Sequence, residues 1–247
     1  AYAETCASVG LMMWSQRMFL LTGDPAAYDV WERALQNAVL AGMGRDGRRF
    51  FYVNPLEVEP ERARRNPSLE HVKTARQAWF GVSCCPPNLA RTLSALGGSL
   101  YALEDGRLWV MAHIASAFRY EGVACELSRS GDEYALALDA PPMEVVLRRP
   151  EGFALEGAER VSHPGGKAVY RYRLTPRIRI LRADPRVSAD AGKLCVLRGQ
   201  TVYCLEEADN GKALSALYLD ARAPISQTAM DFLPDGMPAL KAAGYRR

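Results

Sequence analysis

The sequence predicts an α+β protein in two parts, helical to about residue 102 and an antiparallel β-sandwich from 103 to 247. Two observations predict it. Apolar residues recur at helical spacing before Asp105-Gly106 and alternate in short runs after it. Those runs are divided by turn signals such as Ser130-Gly131-Asp132 and Pro164-Gly165-Gly166, at the spacing of a sandwich. The chain has 247 residues, 49% of them hydrophobic, which is enough apolar material for one large domain or two smaller ones.

Glu4 to Thr22 reads as a mostly buried helix stopped by Gly23. Asp24-Pro25 then supplies an N-cap and a first-turn proline for a second helix through Leu40. Gly42, Gly44 and Gly47 break the chain, and Arg48 to Val53 reads as a strand leading into a long polar loop. Pro86-Pro87 opens a third helix to about Tyr101, because proline is tolerated only in a helix's first turn. Strands are expected over 107–120, 124–129, 133–138, 143–148, 168–174, 178–181, 194–197 and 202–205. Three helices cannot enclose a core, and the segment Val9 to Leu21 is apolar around most of its circumference. Missing helical neighbours upstream are therefore expected, and the absence of an initiator methionine points the same way.

Composition excludes several classes. The 31 Lys and Arg against 28 Asp and Glu leave a net charge of +3, and the basic residues are scattered, so there is no nucleic-acid footprint. The densest clusters, Arg62-Ala63-Arg64-Arg65 and Arg177-Ile178-Arg179, read as a solvated loop and the outward face of a strand. No segment has the unbroken apolar length of a membrane span, and the opening Ala-Tyr-Ala-Glu is no secretory signal. Six cysteines over this length favour a reducing, cytoplasmic location over a disulfide framework. Cys195 and Cys204 could still face one another across a hairpin.

The chemistry concentrates in Val82-Ser83-Cys84-Cys85-Pro86-Pro87-Asn88. Neighbouring cysteines bond to each other only through a strained ring, so the pair is read as a metal site or a reactive thiolate. If Pro86 opens a helix, both sulfurs sit at its positive end, which favours thiolate over thiol. The bland alternative is two small buried apolar residues. Glu4-Thr5-Cys6 supplies a carboxylate and a third thiol, usable together only where the segment is extended or just entering its helix. Glu4, Cys6, Cys84 and Cys85 would then make a four-coordinate set of three sulfurs and one oxygen, suited to zinc.

Glu4-Thr5-Cys6-Ala7-Ser8, residues 31–37 (WERALQN), residues 50–56 (FFYVNPL), residues 77–81 (QAWFG) and Cys84-Cys85-Pro86-Pro87-Asn88 form a series of five strings. In content and order the series resembles the β-L-arabinofuranosidases of glycoside hydrolase family 127. Residues 197–206 (LRGQTVYCLE) resemble that family's sandwich motif, with Gln-Thr where Gly-Pro-Leu is more usual. The resemblance spans nearly the whole chain. It implies the C-terminal helices of an (α/α)6 barrel over 1–102, followed by the sandwich. It implies zinc on Glu4, Cys6, Cys84 and Cys85, Cys84 as nucleophile, and Glu32 and Tyr52 as sugar contacts. Taken alone, Glu32 reads as a helix-surface charge and Tyr52 as a strand aromatic.

The implied reaction is retaining hydrolysis through a glycosyl-cysteine, on an arabinose-containing oligosaccharide or glycoconjugate. The acid/base glutamate and the sugar-binding histidines are expected upstream of Ala1, so this chain alone is expected to be inactive. His71, His113 and His163 match none of those histidines, and His71 reads as structural or as backing the Cys-Cys loop. A homodimer is compatible with this reading. Two alternatives stay open: a relative acting on another unusual pentose or acid sugar, and a non-catalytic carbohydrate-binding sandwich stapled by zinc.

Overall fold

The computed structural model describes residues 3–230 and 237–247, which leaves Ala1 and Tyr2 of the opening string outside the described residues. Helix α1 spans Thr5–Thr22 and ends where Gly23 turns left-handed at φ 69°. Its inner face is Val9, Met12 and Phe19, at spacings of three and seven, with Ser15 buried between them. Leu11, Met13, Trp14, Leu20 and Leu21 lie on the other side, exposed, with Leu21 at 81%. Helix α2 (Ala26–Ala34) follows, its first turn capped by Asp24 Oδ1, which accepts from Ala26 N–H at 2.9 Å.

The expected run to Leu40 does occur, but its last part, Leu35–Leu40, is a π-helix. Asn37 sits in that wider turn. Its Nδ2 donates to Arg33 O and Gln200 O, each at 2.8 Å, and its Oδ1 accepts from Val202 N–H at 2.8 Å. The widening thus lets one side chain satisfy backbone groups of a strand more than 160 residues away.

Residues 48–53 do not form the expected strand. They make only isolated bridges, Phe50 to Met43 and Gln77, and Val53 to Glu4, because no neighbouring segment runs alongside for more than one pair. The polar loop after them contains α3 (Pro60–Arg65), so the arginine cluster there is an exposed helical turn. Helix α4 (Cys85–Ala95) starts at the cysteine pair and tightens into a 3₁₀ turn over Leu96–Ser99. Tyr101 is not in that helix but opens the first strand.

The strands are β1 (Tyr101–Glu104), β2 (Arg107–Val110), β3 (Ser116–Tyr120), β4 (Val123–Ser130), β5 (Glu133–Ala140), β6 (Met143–Leu147), β7 (Phe153–Glu156), β8 (Arg160–His163) and β9 (Gly166–Pro176). The single strand expected over 107–120 is two, parted at Met111–Ala115. Their order is β1-β2-β6-β8 in one sheet and β3-β4-β5-β9-β7 in the other. All pairs are antiparallel except β2 with β6, which run parallel. Leu108, Val110, Val145 and Leu147 of the first sheet meet Leu127, Leu136, Leu138, Tyr172 and Leu174 of the second, closing the sandwich core. The outer face of the first sheet packs against the helices through Trp109, Met111 and Ala112. A third sheet, β10 (Ile178–Arg182), β11 (Leu194–Arg198) and β12 (Thr201–Tyr203), comes next in the chain. Two separate short strand pairs follow among the described residues: Leu217–Leu219 with Gly244–Arg246, and Ser226–Thr228 with Ala239–Lys241. Cys195 and Cys204 are free thiols, as are the other four cysteines.

A polar clasp joins the helices to the strands. Arg148, with only 2% of its side chain exposed, donates to Asp29 Oδ1 at 2.6 Å, to Glu32 Oε2, and to Met111 O at 2.5 Å. Gln200 is fully buried beside it, donating to Glu151 O and Asp29 Oδ1 and accepting from Arg33 Nε at 3.0 Å. Its amide accounts physically for glutamine at this position of the motif. Gly199 has no substitute there: its φ is +60°, and a Cβ would lie 2.4 Å from the Phe153 ring. Arg179 is not on an outward face but half-buried, donating to Glu151 Oε1 at 2.5 Å.

Candidate active site

Glu4 is still extended, at φ −64° and ψ 139°, and Thr5 and Cys6 begin α1. This junction resolves the two-residue spacing problem, since Glu4 is not on the helix. Thr5, fully buried, fastens the junction: its N–H donates to Tyr52 O at 3.0 Å and its Oγ1 to Phe51 O at 2.9 Å. On the other side Cys84 is the cap residue of α4 and Cys85 its first residue. The segment carrying Glu4 and Cys6 is thereby held against Tyr52 and Val53, and α4 packs against α1.

The sulfurs of Cys6, Cys84 and Cys85 all lie within 4.8 Å of one another. Cys6 and Cys85 are 3.7 Å apart. Cys85 is fully buried, Cys6 half-buried and Cys84 exposed. Glu4 Oε1 is 3.6 Å from Cys84 Sγ, but that carboxylate lies outside the mutually close set. Burial, then contact with Cys84, pushes the Cys6 thiol up. Burial, then contact with Cys6, does the same to Cys85. Three crowded sulfurs repel one another as thiolates unless a cation lies between them, so this donor set could hold a metal ion.

Tyr52 is buried, with its Oη 3.5 Å from Cys84 Sγ. That contact first, and burial second, raises the Tyr52 hydroxyl above its usual range. His71 stacks on the Tyr52 ring at 4.4 Å between centroids, and Phe80 packs against both. His71 thus backs the site, whereas His113 and His163 lie buried in the strand region on tyrosine hydroxyls. Glu32 is not brought to the sulfurs by any contact. It is 7% exposed and not a surface charge, bound by Arg148 and accepting from Gln36 Nε2 at 3.4 Å. Burial raises its carboxyl above the usual range, against the opposing pull of Arg148. A cavity of about 450 Å³ over residues 58–74 contains none of the candidate residues. Thr5 and Asn88, which touch the donor segments, escaped the sequence reading; for Asn88 the available signal was its four-residue spacing from Cys84.

Comparison with known proteins gives the family of the chain. Residues 1–98 match the family profile described as β-L-arabinofuranosidase, GH127 catalytic domain, and residues 178–239 match the glycoside hydrolase family 127 C-terminal domain. A non-reducing end β-L-arabinofuranosidase from Bifidobacterium longum subsp. longum is 32% identical across 85% of this chain and 36% of its own length. A crystal structure of a GH127 β-L-arabinofuranosidase from Geobacillus stearothermophilus T6 is similar over 100% of this chain and 43% of that one, at 32% identity and TM-score 0.84. A GH127 β-arabinofuranosidase structure covers 100% and 44%, at 26% identity and TM-score 0.81. The chain belongs to glycoside hydrolase family 127. It spans about two fifths of the length of these relatives. Among the described residues no helix is long and apolar enough to cross a membrane.

Proposed function

We propose that this chain carries the nucleophile and the zinc site of a retaining β-L-arabinofuranosidase. The observation that carries the reading is the three-sulfur cluster at the start of α4, found in a member of this family. Two of its separations suit zinc. For zinc–thiolate bonds of about 2.3 Å, a tetrahedral site needs sulfurs about 3.8 Å apart, close to the Cys6–Cys85 separation. A carboxylate oxygen at about 2.1 Å needs a sulfur neighbour at about 3.6 Å. Glu4 Oε1 and Cys84 Sγ stand at 3.6 Å. Zinc on Glu4, Cys6, Cys84 and Cys85 keeps the sulfurs ionised, which is the chemistry it supplies when bound.

Cys84 is the exposed sulfur of the cluster and attacks the anomeric carbon as the bond to the aglycone oxygen breaks. The departing oxygen takes a proton from a glutamic acid that lies outside these 247 residues. A water, deprotonated by that glutamate, then displaces the sulfur, and two inversions give overall retention. The Tyr52 hydroxyl, 3.5 Å from the Cys84 sulfur, is assigned as a sugar contact by family correspondence. Glu32 is assigned as a sugar contact by family correspondence, with one oxygen held by Arg148. Residues 1–102 are the C-terminal helices of an (α/α)6 barrel, and the exposed apolar side of α1 is the side further barrel helices cover.

The test is hydrolysis of an aryl β-L-arabinofuranoside by the protein in its natural length, with metal analysis of the same sample. About one zinc per chain and release of β-arabinose as the first product support the reading. A zinc content near zero, with Cys84 and Cys85 in disulfides, contradicts it.

A further inference from the structure

Asn88 lies on α4 one turn after Cys84, so the two share a face of that helix. Its backbone N–H donates to Cys84 O at 3.3 Å, and its backbone O accepts from Thr92 Oγ1 at 2.7 Å, which fixes the residue in the first turn. Its side-chain Nδ2 reaches across to α1 and lies 3.1 Å from Cys6 Sγ. The direction of that amide is set by a third residue. Arg91 Nη2 lies 2.7 Å from Asn88 Oδ1, and a guanidinium has donors only, so the amide oxygen must face Arg91 and the NH₂ must face the sulfur.

We propose that Asn88, braced by Arg91, is a positioning residue that holds the Cys6 sulfur in ligand orientation and takes up part of its negative charge. The inference rests on the zinc reading above. Three thiolates and one carboxylate place four negative charges around a doubly charged ion, an excess that hydrogen-bond donors to the sulfurs reduce. The donor falls on Cys6, the sulfur farthest in sequence from α4, so the same contact also ties α1 to the start of α4. Asn88 touches no reacting atom in this scheme and acts through Cys6 alone.

Zinc competition against a colorimetric chelator, and the cobalt(II)–thiolate absorption band of the cobalt-loaded protein, test this in the natural-length protein. Asn88→Leu is expected to lower zinc affinity by about tenfold or more and to shift the cobalt band, the usual scale for loss of a partner behind a metal ligand. Asn88→Asp keeps the shape and turns a carboxylate toward the sulfur, so its loss should be larger. If Asn88→Leu fails to fold, Asn88→Asp carries the test. Arg91→Met alters an exposed side chain and leaves the fold alone, and it should cost about two- to fivefold by freeing the amide to turn. Affinities within twofold of the parent for Asn88→Leu or Asn88→Asp, with an unmoved band, overturn the inference and leave the zinc reading standing. A parent protein that takes up no zinc overturns both.

Discussion

Cys6 illustrates what a single residue does here. Its sulfur sits 3.7 Å from Cys85 Sγ and 3.1 Å from Asn88 Nδ2, on a helix distant in sequence from both. Replacing it with serine exchanges a soft donor for a hard one of shorter reach. Cys6→Ser should therefore weaken zinc binding by at least about tenfold and lower hydrolysis with it, as read by chelator competition. Unchanged zinc affinity would exclude Cys6 from the ligand set. The cysteines were legible in the sequence because adjacent thiols before Pro-Pro have few structural uses. Glu4 was ambiguous, since two-residue spacing separates side chains on a helix, and only the extended conformation of Glu4 removes the conflict. Thr5 was not legible, and Asn88 only through its spacing from Cys84, because their roles depend on contacts 46 and 82 residues away.

At the scale of elements, the buried His113 couples the segment between β2 and β3 to β9 and to the end of β6. Its Nε2 donates to Arg148 O at 2.6 Å, and its Nδ1 accepts from Tyr172 Oη at 2.8 Å. Burial pushes its pKa down to about 4, so the folded protein keeps it neutral. Between about 6.5 and 4 the unfolded chain binds a proton that the folded one does not, so stability falls as pH drops through that window. The loss approaches about 3 kcal/mol. His113→Gln should flatten the pH dependence by one proton, measured as urea midpoints at pH 7 and pH 5; parallel slopes in parent and variant would contradict this. Strands with clean alternation, such as β4 and β5, were legible, as was α1 from its long apolar run stopped by Gly23. The π-turn at Leu35–Leu40, the bridges at 48–53 and the parallel β2–β6 pair were not, because distant partners decide them.

For the whole molecule, the clasp of Arg148 with Asp29 and Glu32 locks the helices onto the sandwich in one register. Arg148 and Glu32 are buried and Asp29 is half-buried, so removing the cation leaves the Glu32 carboxylate without its counter-charge away from water. Arg148→Met should cost about 3–5 kcal/mol of stability in chemical denaturation. A cost below about 1 kcal/mol would show that water reaches the pair, in the range of exposed ion pairs. The change from helices to strands was legible from the change of period near Asp105-Gly106, but the clasp was not, since its partners are separated by more than 110 residues. The same organisation places the sulfurs at the helix end of the molecule, apart from the sandwich core.

Covalent labelling of Cys84 tests the central claim most directly. The natural-length, zinc-loaded protein is incubated with an electrophilic β-L-arabinofuranose mimic, digested, and its peptides are mapped by mass spectrometry. The account predicts one sugar adduct on Cys84, lost in Cys84→Ser and blocked by excess L-arabinose. An adduct on Cys85, or a Cys84→Ser protein that keeps its zinc and its rate of hydrolysis, would contradict it.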